Sequence, residues 1–178
     1  MSYKLFDKDG KAITRHDLQD KGVWCRDGAS KERVFVEKYG HDLHLGLNPE
    51  KDPDPYVPDL LNTANGKLAD LKTQNTPFFQ ARPRFGMDPQ YTAVFNGKDR
   101  IRYKEKYPKI ETYFAVDWQA ITFQGRYTVR VRPMTGIWFI PFEQLDKILE
   151  TSPYHTYRQR RNDNKGNAKG SYVLNLLD

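Results

Sequence analysis

The chain has 178 residues, enough for one domain that buries roughly 70% of the surface its unfolded form exposes. Aromatic content of 13% within an apolar fraction of 38% supplies core anchors and argues against intrinsic disorder, and 29 basic against 23 acidic residues leave a net charge of +6. A single cysteine, Cys25, excludes an internal disulfide, and no apolar run reads as a leader or a membrane span, so the expectation is an intracellular protein with no membrane partner.

The charge is uneven. Residues 1–75 carry 12 Lys or Arg and 13 Asp or Glu, whereas residues 76–178 carry 17 and 10. An acidic front and a basic back suit a protein that holds metal with carboxylates and grips a polyanion with Lys and Arg, although a lopsided solvated surface looks the same on charge alone.

In chain order, residues 3–6 and 12–14 flank Asp7-Lys8-Asp9-Gly10, whose Asp-Gly pair suits a hairpin turn. The carboxylates a calcium loop would add later are missing. Asp27 or Ser30 is placed to cap a helix over about 30–39 that Gly40 ends. Alternation over 41–47 predicts a strand with Leu43, Leu45 and Leu47 on one face. A proline-rich acidic loop follows at 48–55 and cannot continue either element. Residues 56–61 and 67–74 then form strands joined through Asn65-Gly66, the strongest short-range hairpin signal in the chain.

A loop of proline and arginine at 78–89 leads to a strand at 91–95 and a basic helix at 98–106. Strands are expected at 112–118, 121–124, 127–132 and 137–140, the last buried by its continuous apolar character. A helix over 142–150 carries Leu145, Ile148 and Leu149 inward. Residues 154–170 are rich in Arg and Lys and read as a basic loop or arm before a final strand at 172–174. No internal repeat or second domain is visible.

The chemistry lies on the central hairpin. With Asn65-Gly66 as a two-residue loop, Ala64 pairs with Lys67, Leu61 with Asp70 and Asp59 with Lys72. Period-two alternation then puts Asp59, Leu61, Asp70, Lys72 and Gln74 on one face. Asp59 and Asp70 become diagonal neighbours with Cα atoms about 7–8 Å apart, able to converge on one cation. A phosphodiester repels nucleophiles by its own charge, and water attacks poorly at neutral pH; a hard cation on two carboxylates addresses both, which suits Mg²⁺ or Mn²⁺. Lys72 would hold water or phosphate, or tune proton transfer. The competing reading of the same residues is a cross-strand ion pair between Asp59 and Lys72, with Asp70 exposed and Gln74 solvated.

Pro58-Asp59, ten intervening residues and Asp70-Leu71-Lys72 resemble the PD-(D/E)xK nuclease signature. The resemblance covers about residues 29–150 and implies an α/β, restriction-endonuclease-like fold: a mixed β-sheet flanked by helices in a single domain. It also implies that Asp59, Asp70 and the carbonyl of Leu71 bind divalent metal and that Lys72 is the catalytic lysine. Glu37, on the helix before the hairpin, would hold a second metal or its waters. Gln74 extends the same catalytic face.

Arg82, Arg84, Arg100, Arg102, Arg130 and Arg132, with Arg158, Arg160 and Arg161 in the arm, are candidate phosphate contacts. Phe85, Tyr103, Tyr154 and Tyr157 lie among them as candidate stacking platforms. The expected function is hydrolysis of phosphodiester bonds in DNA by metal-activated water, without a covalent intermediate, because no Ser, Cys or His relay assembles from the sequence. RNA as the substrate, a non-cleaving binding module on the same fold, and a homodimer or a subunit of a larger complex all stay open.

Overall fold

Asp7 organises the first turn. Its Oδ1 accepts the N–H groups of Asp9 and Lys11, both at 2.9 Å, and Gly10 takes a φ of 77°. Strand β1 (Lys4–Phe6) therefore returns as β2 (Ala12–Ile13) in the expected hairpin. The computed structural model describes residues 2–14, 30–51, 53–54, 57–156 and 170–178. Cys25, Tyr157, Arg158, Arg160 and Arg161 lie outside the described residues, as does most of the basic arm.

Ser30 caps helix α1 (Lys31–Leu43), its Oγ accepting the Arg33 N–H. The helix runs past Gly40. It stops at His44, which adopts the left-handed conformation with φ 56° and returns its N–H to the Gly40 carbonyl. The strand expected at 41–47 accordingly shrinks to β3 (Leu45–Leu47). Gly40 serves packing instead of termination, because a Cβ there would lie 2.5 Å from the Leu45 carbonyl oxygen.

Next come β4 (Leu60–Asn62) and β5 (Leu68–Gln74), then a short helix α2 (Ala81–Phe85) inside the segment expected to be loop, ended by Gly86 at φ 68°. Strand β6 (Thr92–Asn96) leads into α3 (Gly97–Lys106), capped by the Asn96 side chain on the Lys98 N–H. Strands β7 (Glu111–Asp117), β8 (Thr122–Gln124), β9 (Thr128–Arg130) and β10 (Thr135–Pro141) precede α4 (Phe142–Glu150), β11 (Tyr154–Thr156) and β12 (Gly170–Asn175).

These elements build a mixed α/β architecture with three sheets, ordered β10-β7-β5-β4-β3, β2-β1-β8-β9 and β11-β12-β6. In the first, β5 and β7 run parallel and every other neighbour pair is antiparallel. β7 is buried along its whole length, as a strand covered on both faces must be. β10, expected to be buried, is an edge strand with Phe139 52% exposed. Among the described residues no helix is long and apolar enough to cross a membrane.

Helix α1 covers one face of the central sheet through Phe35, which packs with Leu60, Ala69, Leu71, Tyr113 and Ala115. Phe35 is fully buried, so Phe35→Ala is expected to cost about 3–5 kcal/mol in a urea titration, through lost transfer energy plus a cavity. The other face carries Phe114 and packs with Phe95, Tyr103, Phe142 and Leu145 from β6, α3 and α4. Leu5, Trp118, Ile121 and Val131 anchor the four-stranded sheet at the end of β7.

Arg100 locks this second layer. Its Nε donates to Asp146 Oδ1 at 2.7 Å and its Nη1 to the Tyr172 hydroxyl at 2.8 Å, joining α3, α4 and β12. Partial burial works against the Asp146 charge, but the Arg100 hydrogen bond and the Arg100 and Lys104 charges outweigh it and hold this carboxyl below its ordinary range. A carboxyl whose pKa is depressed by folding stabilises the protein above its unfolded value and loses that contribution as pH falls through the folded one. Asp146→Asn is therefore expected to lower stability by about 1.5–3 kcal/mol at neutral pH. The gap between variant and wild type should close in melts taken below the ordinary aspartate range, about pH 3.9; a gap that persisted there would contradict the assignment.

Candidate metal centre

The hairpin register sets the site. Asn62 N–H bonds the Lys67 carbonyl and Gly66 N–H bonds the Asn62 carbonyl, both at 2.8 Å, so the loop spans the four residues 63–66 instead of two. The reason is the Asn62 side chain. Its Oδ1 accepts the N–H groups of Ala64 and Asn65, while the Asn62 and Asn65 amides donate to the buried Glu111 carboxylate at 3.0 and 2.9 Å. β4 then pairs with β5 as Leu60↔Ala69 and Leu61↔Leu68, two residues away from the expected register. A shift of two leaves every side chain on its original face. The ladder ends at Leu60 and Ala69, and just beyond it Asp59 is near enough for its charge to act on Asp70.

Asp70 and Lys72 emerge on the sheet face that meets α3. Lys72 Nζ lies 2.8 Å from Asp70 Oδ2 and 2.5 Å from Asp99 Oδ2, and sits 5.5 Å from the Phe95 ring centroid. Asp99 also accepts Arg102 Nη2 at 3.0 Å. Asp59 receives Lys51 Nζ at 2.8 Å, and Lys51 in turn donates to the Val57 carbonyl. Asp70 is 3% exposed. Burial pushes its carboxyl pKa up against the pull of Lys72, and the Asp59 charge adds to the rise. Burial would lower the Lys72 ammonium, but Asp70 and Asp99 together hold it above its ordinary value. Burial, then the Asp70 and Asp99 charges, drive the Tyr103 phenol well above its usual range.

One oxygen of this cluster is underserved. The Lys72 ammonium approaches Asp70 Oδ2 at 2.8 Å as an ion contact outside strict hydrogen-bond geometry, and the Tyr103 hydroxyl also serves this carboxyl, so the buried oxygen has neighbours but no well-aligned donor. Buried carboxylate oxygens are seldom left so. Among the described residues no group of three or more His, Cys, Asp or Glu side chains converges. Carboxylates and main-chain carbonyls are hard oxygen donors, the kind that suit Mg²⁺ or Mn²⁺.

Comparison with family models, with curated proteins and with solved structures returns no match.

Asp70 and Lys72 are in contact and the Asp59 charge acts on Asp70, whereas the Leu71 side chain packs on the α1 face; the other expected residues distribute differently. Glu37 is exposed on α1, and α1 covers the face that carries Ala69 and Leu71, across the sheet from Asp70 and Lys72. The structure therefore sets the helix that carries Glu37 on the face opposite the expected one. Gln74 does share the Asp70 face, but its amide donates to the Thr76 carbonyl and accepts the Val94 N–H. That ties β5 to β6 and assigns it a structural role in place of a catalytic one.

Arg100 is withdrawn from the phosphate-binding set by its clamp on Asp146 and Tyr172. Arg102 belongs to the centre's rim through Asp99 and the Tyr103 hydroxyl. Arg82, Arg84, Arg130 and Arg132 are exposed. Asp99, Tyr103 and Lys51 are the contributors that sequence reading missed. Asp99 lies 27 residues beyond Lys72 on another element, and no local spacing connects the two.

Proposed function

We propose that the protein is a metal-dependent nuclease of PD-(D/E)xK type, with a restriction-endonuclease-like core, that hydrolyses phosphodiester bonds in DNA. The observation that supports this reading is a buried Asp70 carboxylate in ion contact with Lys72, with the Asp59 charge near enough to act on it. Asp59, Asp70 and the Leu71 carbonyl would hold Mg²⁺ or Mn²⁺, which when bound neutralises phosphate charge and lowers the pKa of water.

The chain's own groups supply the rest. Asp70 and Asp99 keep Lys72 charged, so it can hold a phosphate oxygen or orient the attacking water without itself serving as a base. Tyr103 stays protonated and able to donate a hydrogen bond. Lys51 positions Asp59 and would have to yield when phosphate or metal arrives.

The test is incubation of the purified protein with supercoiled, linear and single-stranded DNA in Mg²⁺, in Mn²⁺ and in chelator, beside calorimetric titration of each metal. Metal-dependent nicking that chelator abolishes is the expected outcome. A second reading is a non-cleaving DNA-binding module on this fold, favoured by the two lysines that already neutralise both carboxylates. DNA binding without cleavage and without a metal-binding heat would select it.

A further inference from the structure

A basic, aromatic groove lies apart from the Asp70 centre. It begins at Asn75, the residue after β5 ends, about 16 Å along the strand from Asp70. The first cleft, of about 510 Å³, lies between the 75–80 segment and β1 and β8. It shares Tyr3, Gln80 and Phe123 with a second of about 410 Å³. The second shares Tyr127 with a third of about 450 Å³, and the third shares Arg82, Asp88 and Arg130 with a fourth of about 380 Å³. Shared lining residues set these clefts side by side as a track along α2 and the β1-β8-β9 sheet.

Its charge is one-sided. Lys31, Arg82, Arg84, Arg126, Arg130 and Arg132 line it against a single described carboxylate, Asp88, which lies 3.6 Å from Arg82. Aromatic rings punctuate the cations. Tyr127 is 52% exposed, with the Arg126 guanidinium 5.9 Å from its ring centroid, and Tyr3, 40% exposed, is the outer ring of a stack over Phe123 and Phe79. Apolar ligands would not call for six cations, and an acidic peptide would not call for open ring faces. A polyanion with unpaired bases answers both features, because phosphates meet the guanidinium groups while bases stack on the rings. Duplex DNA keeps its base faces covered.

We propose that this trough is a binding track for single-stranded DNA. The choice of DNA over RNA rests on the reading above; the binding itself does not depend on cleavage. The test is fluorescence anisotropy with a labelled oligothymidylate of about 20 nucleotides, in chelator, so that neither metal nor hydrolysis enters. With Asp88 offsetting one of the six cations, about five phosphates are neutralised. The logarithm of the binding constant should then fall with the logarithm of salt concentration at a slope of roughly −3.5.

Arg126→Ala/Arg130→Ala should flatten that slope to about −2. Tyr127→Ala should weaken binding about tenfold with the slope unchanged. Lys106→Ala/Lys147→Ala, exposed on α3 and α4, should bind as wild type. Tyr127 is largely solvent-exposed, so its variant should melt with the wild type; if it does not, the arginine pair still decides. Unchanged binding in the trough variants, or duplex bound as tightly as the single strand, would overturn the proposal. Tighter binding of oligouridylate would overturn DNA as the occupant. Failure to cleave in metal, with the track intact in chelator, would count against the nuclease reading alone.

Discussion

Asp70→Asn is expected to reduce Mg²⁺-dependent cleavage of plasmid DNA by about 10³-fold or more. The substitution keeps the shape of the side chain and removes the charge that a divalent cation requires. Metal-centred charge stabilisation supplies several kcal/mol in such reactions, and about 4 kcal/mol corresponds to that factor. Lys72→Ala should cost about 10²–10³-fold, the loss of one charge-stabilising donor. The two losses should differ in kind: Asp70→Asn should abolish the calorimetric heat of Mg²⁺ binding, whereas Lys72→Ala should keep it. Neutralising Asp70 also removes a buried anion that Asp59 opposes, so the Asn variant should unfold at no lower a urea concentration than wild type. Undiminished cleavage by Asp70→Asn would remove the catalytic reading of this centre.

Lys72→Met is expected to destabilise the protein by about 3–5 kcal/mol, the loss typical when one partner of a buried ion cluster is taken away. Met preserves the length of the side chain and its packing on Phe95, so the loss reports charge and not a cavity. Asp70 and Asp99 would be left facing each other inside the fold, the first with 5% and the second with 18% of its side chain exposed. Adding Asp70→Asn should recover part of the loss, with a coupling of about 0.5–3 kcal/mol in a double-mutant cycle. Additive losses in urea titrations of the four proteins would mean that Lys72 does not stabilise Asp70. Both experiments act on the same two side chains, Asp70 and Lys72, and together they ask whether this cluster exists for stability, for chemistry, or for both.

Much of the fold was legible in local pattern. Asp7-Lys8-Asp9-Gly10 turns because Asp7 caps its own loop and Gly10 tolerates positive φ, and α4 spans residues 142–150 as its apolar spacing requires. The facial placement of Asp59, Asp70 and Lys72 was legible too, for a physical reason. Side chains alternate with period two, so misjudging the loop by two residues changed which residues oppose each other without moving any of them to the other face. What misled the register was Asn65-Gly66, a tight-turn signal overridden by Asn62, which closes a wider loop and reaches Glu111 on a strand 49 residues away.

Local pattern alone determined a mixed α/β chain, a hairpin with two acids and a lysine on one side, and a basic second half. Only the tertiary structure decided the rest. It set α1 on the far face, carrying Glu37 away from Asp70. It spent Arg100 and Gln74 on holding layers together, and it delivered Asp99 and Tyr103 from α3 to Lys72. It also gathered arginines from α2, β9 and the loops flanking β9 along one track. Periodicity and turn chemistry act between residues a few positions apart, whereas which face a helix covers and which charges meet depend on how whole elements pack, and no spacing along the chain encodes that distance.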